Sequence, residues 1–115
     1  MEQLQVSATF PSISPDAADQ FEQLATEALA TIRNESGTLQ HDWFFSDDGT
    51  QCVVREAYAS SDDFLAHLAG AGPLLGRLVE LGGGLDLEVF GEPSAALRDA
   101  ISAFRPQIYG YSQGK

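Results

Sequence analysis

Thr38 to Tyr58 reads TLQHDWFFSDDGTQCVVREAY, and the fold turns on how this segment is read. Thr38–Ser46 is rich in aromatics, Asp47-Asp48-Gly49-Thr50 has turn chemistry, and Gln51–Tyr58 returns to β-prone residues. Two such runs joined by a short Asp/Gly turn form an antiparallel hairpin. What flanks the hairpin decides where its two strands lie in a sheet.

Upstream, Phe21, Leu24, Ala25, Ala28 and Ile32 recur at helical spacing. Ser14-Pro15-Asp16 supplies a cap, a first-turn proline and an acid near the positive dipole end, which predicts a helix start there. The helix is expected to stop between Asn34 and Gly37. Before it, Leu4, Val6, Ala8 and Phe10 alternate with Gln5, Ser7 and Thr9, the pattern of a half-buried strand. Downstream, Ser60-Ser61-Asp62-Asp63 matches a capping box and predicts a helix to about Ala69. Gly70 to Pro73 is expected to break it before a further helical segment, Leu74 to Leu81. Gly82-Gly83-Gly84 then releases the chain into a fourth strand, with Leu85, Leu87 and Val89 set against Asp86, Glu88 and Phe90. Pro93 opens a last helix with Ala96, Leu97, Ala100, Ile101 and Phe104 inward; Pro106 ends it, and residues 107–111 fit a short strand.

The order β-α-β-β-α-β is the split pattern of the ferredoxin-like fold. It predicts an α+β single domain over residues 1–115, with a core of residues 4–91 and a C-terminal extension of residues 92–115. Right-handed crossovers put both main helices on one face of a four-stranded antiparallel sheet of order 4-1-3-2. The other face is left bare. If that face carries Leu, Val and aromatic side chains it must be covered, and a second copy of the same sheet covers it by two-fold symmetry. A homodimer is therefore expected.

Composition narrows the function. Seventeen acids against six bases give a net charge of −11, a surface that repels nucleic-acid phosphates and anionic headgroups. No apolar run approaches the roughly 20 residues of a membrane-spanning helix. The first residues lack the basic and apolar regions of a signal peptide, and Cys52 is the single cysteine. A cytoplasmic location, without nucleic-acid or membrane partners, is the expectation. The triple glycine follows a helix and precedes a strand, the reverse of a phosphate-binding loop.

Glu35-Ser-Gly37-Thr-Leu39-Gln-His41, Val53-Val54-Arg-Glu56-Ala-Tyr58 and Ser61-Asp-Asp-Phe64-Leu-Ala-His67 together resemble the antibiotic biosynthesis monooxygenase domain family. The shared pattern is a Gly closing the first helix, a Glu two residues before an aromatic, and an acid-capped helix carrying a His. The resemblance covers residues 4 to 91, and it implies a dimeric α+β barrel whose C-terminal extension clasps the partner. It also implies cofactor-independent oxygenation of a small phenolic, aromatic or quinol substrate by O₂. A deprotonated phenol is its own reductant, so the protein need supply an apolar pocket, a base and anion-stabilising donors. The haem-degrading branch is not matched: the first strand has no Asn, and His67 lies about two turns too early to serve as the haem ligand.

Six residues follow as candidates. His67 and Glu56 are the proton-handling pair; His41, Trp43, Tyr58 and Arg55 shape the substrate site. Each has a plainer alternative. His67 lies near the edge of its helix's inward stripe and fits a boundary histidine bonded to a strand or loop. His41, Trp43 and Phe45 share a face with Leu39 by period-two geometry and fit core or interface packing. Glu56, in mid-strand, could be a base with a raised pKa or could pair with Arg55, Arg77 or Arg105. Arg55 points to the opposite face. No metal is expected, since two histidines alone are short of ligands. The functional alternatives are a non-catalytic dimer binding a small hydrophobic ligand, and an isomerase or cyclase on the same barrel.

Overall fold

The computed structural model describes residues 3–115. The elements are β1 (Leu4–Phe10), α1 (Ala18–Ile32), β2 (Thr38–Phe45), β3 (Cys52–Tyr58), α2 (Ser61–Leu81), β4 (Asp86–Phe90), α3 (Ala95–Ile101), a 3₁₀ turn (Ser102–Phe104) and β5 (Gln107–Tyr109). They form the α+β ferredoxin-like arrangement, with strand order β2-β3-β1-β4-β5 across one sheet. The expectation of a four-stranded antiparallel sheet is corrected. β5 joins the β4 edge in parallel, opposing Gln107 to Glu88 and Tyr109 to Phe90. A parallel neighbour requires a crossover, and α3 with its 3₁₀ turn supplies one. The sheet is therefore five-stranded and mixed.

One face packs on the helices. Leu4, Val6, Ala8 and Phe10 of β1 are buried there, opposite Tyr58, Glu56, Val54 and Cys52 of β3. Phe21, Leu24, Ala25, Ala28 and Ile32 of α1 close the core over them, as their spacing requires. The helix begins at Ala18 rather than at Ser14, because Ala17 N–H first closes a turn onto Ser14 C=O at 3.0 Å.

A larger difference concerns α2. The break expected at Gly70–Pro73 is absent, and Ser61–Leu81 is one helix of 21 residues, about 30 Å long. Gly70, Gly72 and Pro73 all lie on its exposed side. Phe64, His67, Ala71 and Leu78 are buried through the same stretch. Burying that stripe offsets the about 3 kcal/mol an interior proline costs. The predicted capping box is present, with Ser60 Oγ accepting from Asp63 N–H at 3.2 Å. At the other end Gly82 is the C-cap and Gly83 turns the chain at φ +76°.

The open face is more polar than a purely apolar dimer seam would be. Alternation sends most of the aliphatic residues to the helices and leaves Gln5, Ser7, Thr9, Asp42 and Arg55 on the other face, with Val53, Ala57, Phe44 and Phe90 among them. Phe90 stacks on Tyr109 of β5 at 5.2 Å. Of the four acids in strands, Asp42 and Asp86 are exposed and Glu88 is half-buried; Glu56 alone is buried.

Candidate active site

The site grows from two strands and the helix above them. Glu56 and Tyr58, two apart on β3, share its inner face, and the Tyr58 hydroxyl donates to Glu56 Oε1. On β2 a bulge sets the facing: Thr38 opposes Tyr58 but Gln40 already opposes Ala57, so Leu39 is the extra residue. Leu39 is turned out and 55% exposed, whereas His41 and Trp43 oppose the buried Glu56 and Val54. The expectation that Leu39 shares the face of His41 is thus corrected. Trp43 lies parallel to Phe10 at 6.3 Å and edge-on to Phe21.

From above, α2 delivers His67 into the same space. It is buried rather than at the edge of the stripe. Its Nδ1 lies 2.9 Å from Oε1 of Glu35, and the same oxygen accepts from Thr38 Oγ1 at 2.7 Å. The His67 ring is 5.1 Å from that of His41 and 5.3 Å from that of Tyr58, which stacks on Phe64 at 4.5 Å.

Burial governs the charges. It pushes the Glu56 carboxyl up from 4.5 to about 7; the Tyr58 hydrogen bond opposes that rise and nearby Glu35 adds to it. Burial, reinforced by the charge of His67, lowers His41 from 6.5 to about 3, with Asp42 opposing. Tyr58 is held well above the ordinary phenol range by burial and by Glu56. His41 Nε2 and Glu56 Oε1 are 3.6 Å apart. With His41 neutral they are a dipole facing a carboxyl rather than an ion pair. Among the described residues Glu56 has no arginine partner; its neighbours are Tyr58 and His41.

These groups occupy the inner end of a pocket that is half open to solvent and encloses about 50 Å³, less than an aromatic ring fills, so ring binding requires the apolar lining to give way. Ala28, Leu68, Ala71, Leu78, Leu87 and Phe104 line much of the rest, so the polar atoms act against a largely apolar surround. Two side-chain nitrogens there, His41 Nδ1 and Trp43 Nε1, are buried without a hydrogen-bond partner among the described residues. His41, Glu56 and His67 each offer a ligand atom within 4.8 Å of the others, a donor set that suits a divalent cation. The Glu35 bond occupies only Nδ1 of His67 and leaves Nε2 free, an arrangement that orients a histidine for metal ligation as well as for proton exchange; the rest of the lining is largely apolar. The arrangement is suited to moving protons.

Four predicted site residues, His41, Trp43, Glu56 and His67, line this cavity, and Tyr58 stands behind Glu56. Arg55 does not join them: it is exposed on the open face, opposite Ser7 and Asp42. Glu35 escaped the sequence reading. Its position was a signal, since it follows the C-terminal end of α1, where the helix dipole disfavours an acid. Cys52 is buried, its thiol pushed up to about 11, and behaves as an apolar residue.

The sequence profile of the family described as "Antibiotic biosynthesis monooxygenase" matches residues 5–72. No curated protein sequence matches the chain. Among solved structures, MupZ from Pseudomonas fluorescens superposes with a TM-score of 0.84 at 21% identity, covering 100% of this chain and 94% of its own. Rv0793 from Mycobacterium tuberculosis gives 0.65 at 24% identity, over 82% of this chain and 98% of its own. A variant of SnoaB, a cofactor-independent oxygenase from Streptomyces nogalater, gives 0.62 at 16% identity, over 83% of this chain and 97% of its own. At these identities the likeness is one of fold.

Proposed function

The chain belongs to the antibiotic biosynthesis monooxygenase family, and on that premise we propose that it is a cofactor-independent monooxygenase acting on a small phenolic, aromatic or quinol substrate. The observation that carries this reading is Glu56: a buried carboxyl, pushed up to about 7, at the polar end of an otherwise apolar cavity. Such a group takes a proton near neutral pH. Deprotonation turns the substrate into a phenolate, which passes one electron to O₂. Radical recombination forms a ring-carbon peroxide; the carbon loses its proton, the O–O bond breaks, and water leaves with one oxygen. The balance is phenol plus O₂ to quinone plus water, with the substrate as sole reductant. Glu56 receives the phenolic proton and returns it to the outer peroxide oxygen; His67, steadied by Glu35, takes the proton lost by the ring carbon and passes it to the same oxygen, which leaves as water. His41, Trp43 and Tyr58 shape the pocket. Arg55, on the open face, has no part in this cavity and is left to the surface that meets a second copy.

The test is O₂ uptake with a panel of quinols and naphthols, comparing wild type with His67→Ala. Uptake matching quinone formation, and lost in the variant, supports the reading; equal rates sink the role of His67. The homodimer is part of the proposal, with the extension after Pro93 contacting the partner. A monomer by sedimentation at micromolar concentration contradicts that part.

A second reading has its own observation. Glu56 with Tyr58 and His67 with Glu35 are two separate proton-handling pairs on one cavity, which is sufficient for an isomerase or cyclase. Turnover that persists under argon would select it.

A further inference from the structure

The two unpartnered nitrogens at the polar end of the cavity identify the group a ligand must bring. Trp43 Nε1–H can only donate. His41 can present a proton or a lone pair at Nδ1, depending on its tautomer. The group facing its other nitrogen biases the choice. Nε2 faces Glu56 Oε1 at 3.6 Å, and that oxygen already accepts from Tyr58. An acceptor opposite Nε2 favours the proton there. Nδ1 of the neutral ring is then a lone pair. Both nitrogens are fully buried, on residues two apart on one strand, with ring centres 5.5 Å apart and both lining the cavity. Leaving a buried donor and a buried acceptor unmatched costs about 1–3 kcal/mol each.

A group that satisfies both must accept and donate at once, as a hydroxyl does. We propose that His41 and Trp43 form a hydroxyl-recognition site: a phenolic or enolic O–H of the ligand donates to His41 Nδ1 and accepts from Trp43 Nε1–H. The inference rests on the phenol or quinol reading of the same cavity and adds the atoms that select the substrate. It also gives the proton a route. As Nδ1 takes the hydroxyl proton, Nε2 releases its own toward Glu56 Oε1, so His41 relays and Glu56 stores.

The experiment compares 1-naphthol with 1-methylnaphthalene, in which a methyl group of similar size replaces the hydroxyl. Binding is measured by fluorescence titration under argon, so that no turnover intrudes. An apolar pocket alone favours the methyl compound. The proposal predicts at least tenfold tighter binding of 1-naphthol to the wild type. Trp43→Phe and His41→Phe should each bring the ratio below threefold, with foldedness verified by near-ultraviolet circular dichroism. Equal or tighter binding of 1-methylnaphthalene to the wild type overturns the proposal even if neither variant folds. An unchanged preference in two folded variants overturns it as well. Naphthol preference without O₂ uptake would remove the oxygenase reading and leave this site standing. Uptake without the preference would do the reverse.

Discussion

Glu35 Oε1 lies 2.9 Å from His67 Nδ1 across 32 residues of chain, with the Thr38 hydroxyl bonded to the same oxygen. An acceptor at Nδ1 keeps a proton on that nitrogen and leaves Nε2 as the nitrogen that exchanges protons with a ligand. Glu35 is therefore a positioning residue. Glu35→Gln is expected to lower kcat by about 10- to 100-fold with KM nearly unchanged. Because an amide can turn its own N–H toward Nδ1, nitrogen NMR of His67 should show the tautomer reversed. A normal rate with an unchanged tautomer would remove this role.

Stability should carry the signature of Glu56. Between pH 4.5 and about 7 the folded protein keeps a proton that the unfolded chain has released, so stability falls as pH rises through that window. His41 acts in the opposite sense: between about 3 and 6.5 only the unfolded chain is protonated, and stability falls as pH drops. The two slopes oppose each other from 4.5 to 6.5. Glu56→Gln removes the first alone. Relative to wild type it should gain up to about 3 kcal/mol between pH 4.5 and 7 and hold that gain above. Urea midpoints at pH 4.5 and pH 8 test this; the same difference at both pH values would contradict it.

Tyr58 lowers the pKa of Glu56 by donating to it. Tyr58→Phe keeps the stack on Phe64 but removes that donor, so the midpoint of the pH–rate profile should move upward from about 7. The loss of stability should be about 1–3 kcal/mol, the cost of an unmatched buried acceptor. A downward shift would mean that Glu56 does not set the profile.

Gly37 lies against the side chain of Asp63, and a β-carbon there would overlap it. Asp63 is bonded to Ser60 Oγ at 2.7 Å in the cap of α2. Gly37→Ala should therefore disturb the cap and cost about 1–2 kcal/mol, read as a lower thermal midpoint. An unchanged midpoint would show that Asp63 can move without cost.

Much of the fold was legible because periodicity reports which face is buried. Leu4 to Phe10, Phe21 to Ile32 and Leu87 to Val89 all obey it. Two features escaped because tertiary packing overrode local chemistry. Pro73 stays helical since Ala71 and Leu78 are held on either side of it, and Leu39 turns outward because a bulge is set by the partner strand. The Glu35–His67 contact joins a loop to a helix, and no short spacing encodes it. Alternation did place Arg55 opposite to Glu56, so its exposure on the open face was visible from the start.

Proton transfer from substrate to protein inside the cavity is the claim on which the rest depends, and it can be observed without turnover. The fluorescence emission of 1-naphthol bound under argon at pH 8 is the measurement: ground-state naphthol is a weaker acid than the Glu56 carboxyl and keeps its proton, whereas its excited state is a stronger acid and releases it to a base within reach. Naphtholate emission is expected in the wild type and neutral naphthol emission in Glu56→Gln. Neutral emission in the wild type, or the same naphtholate emission in both, would contradict it.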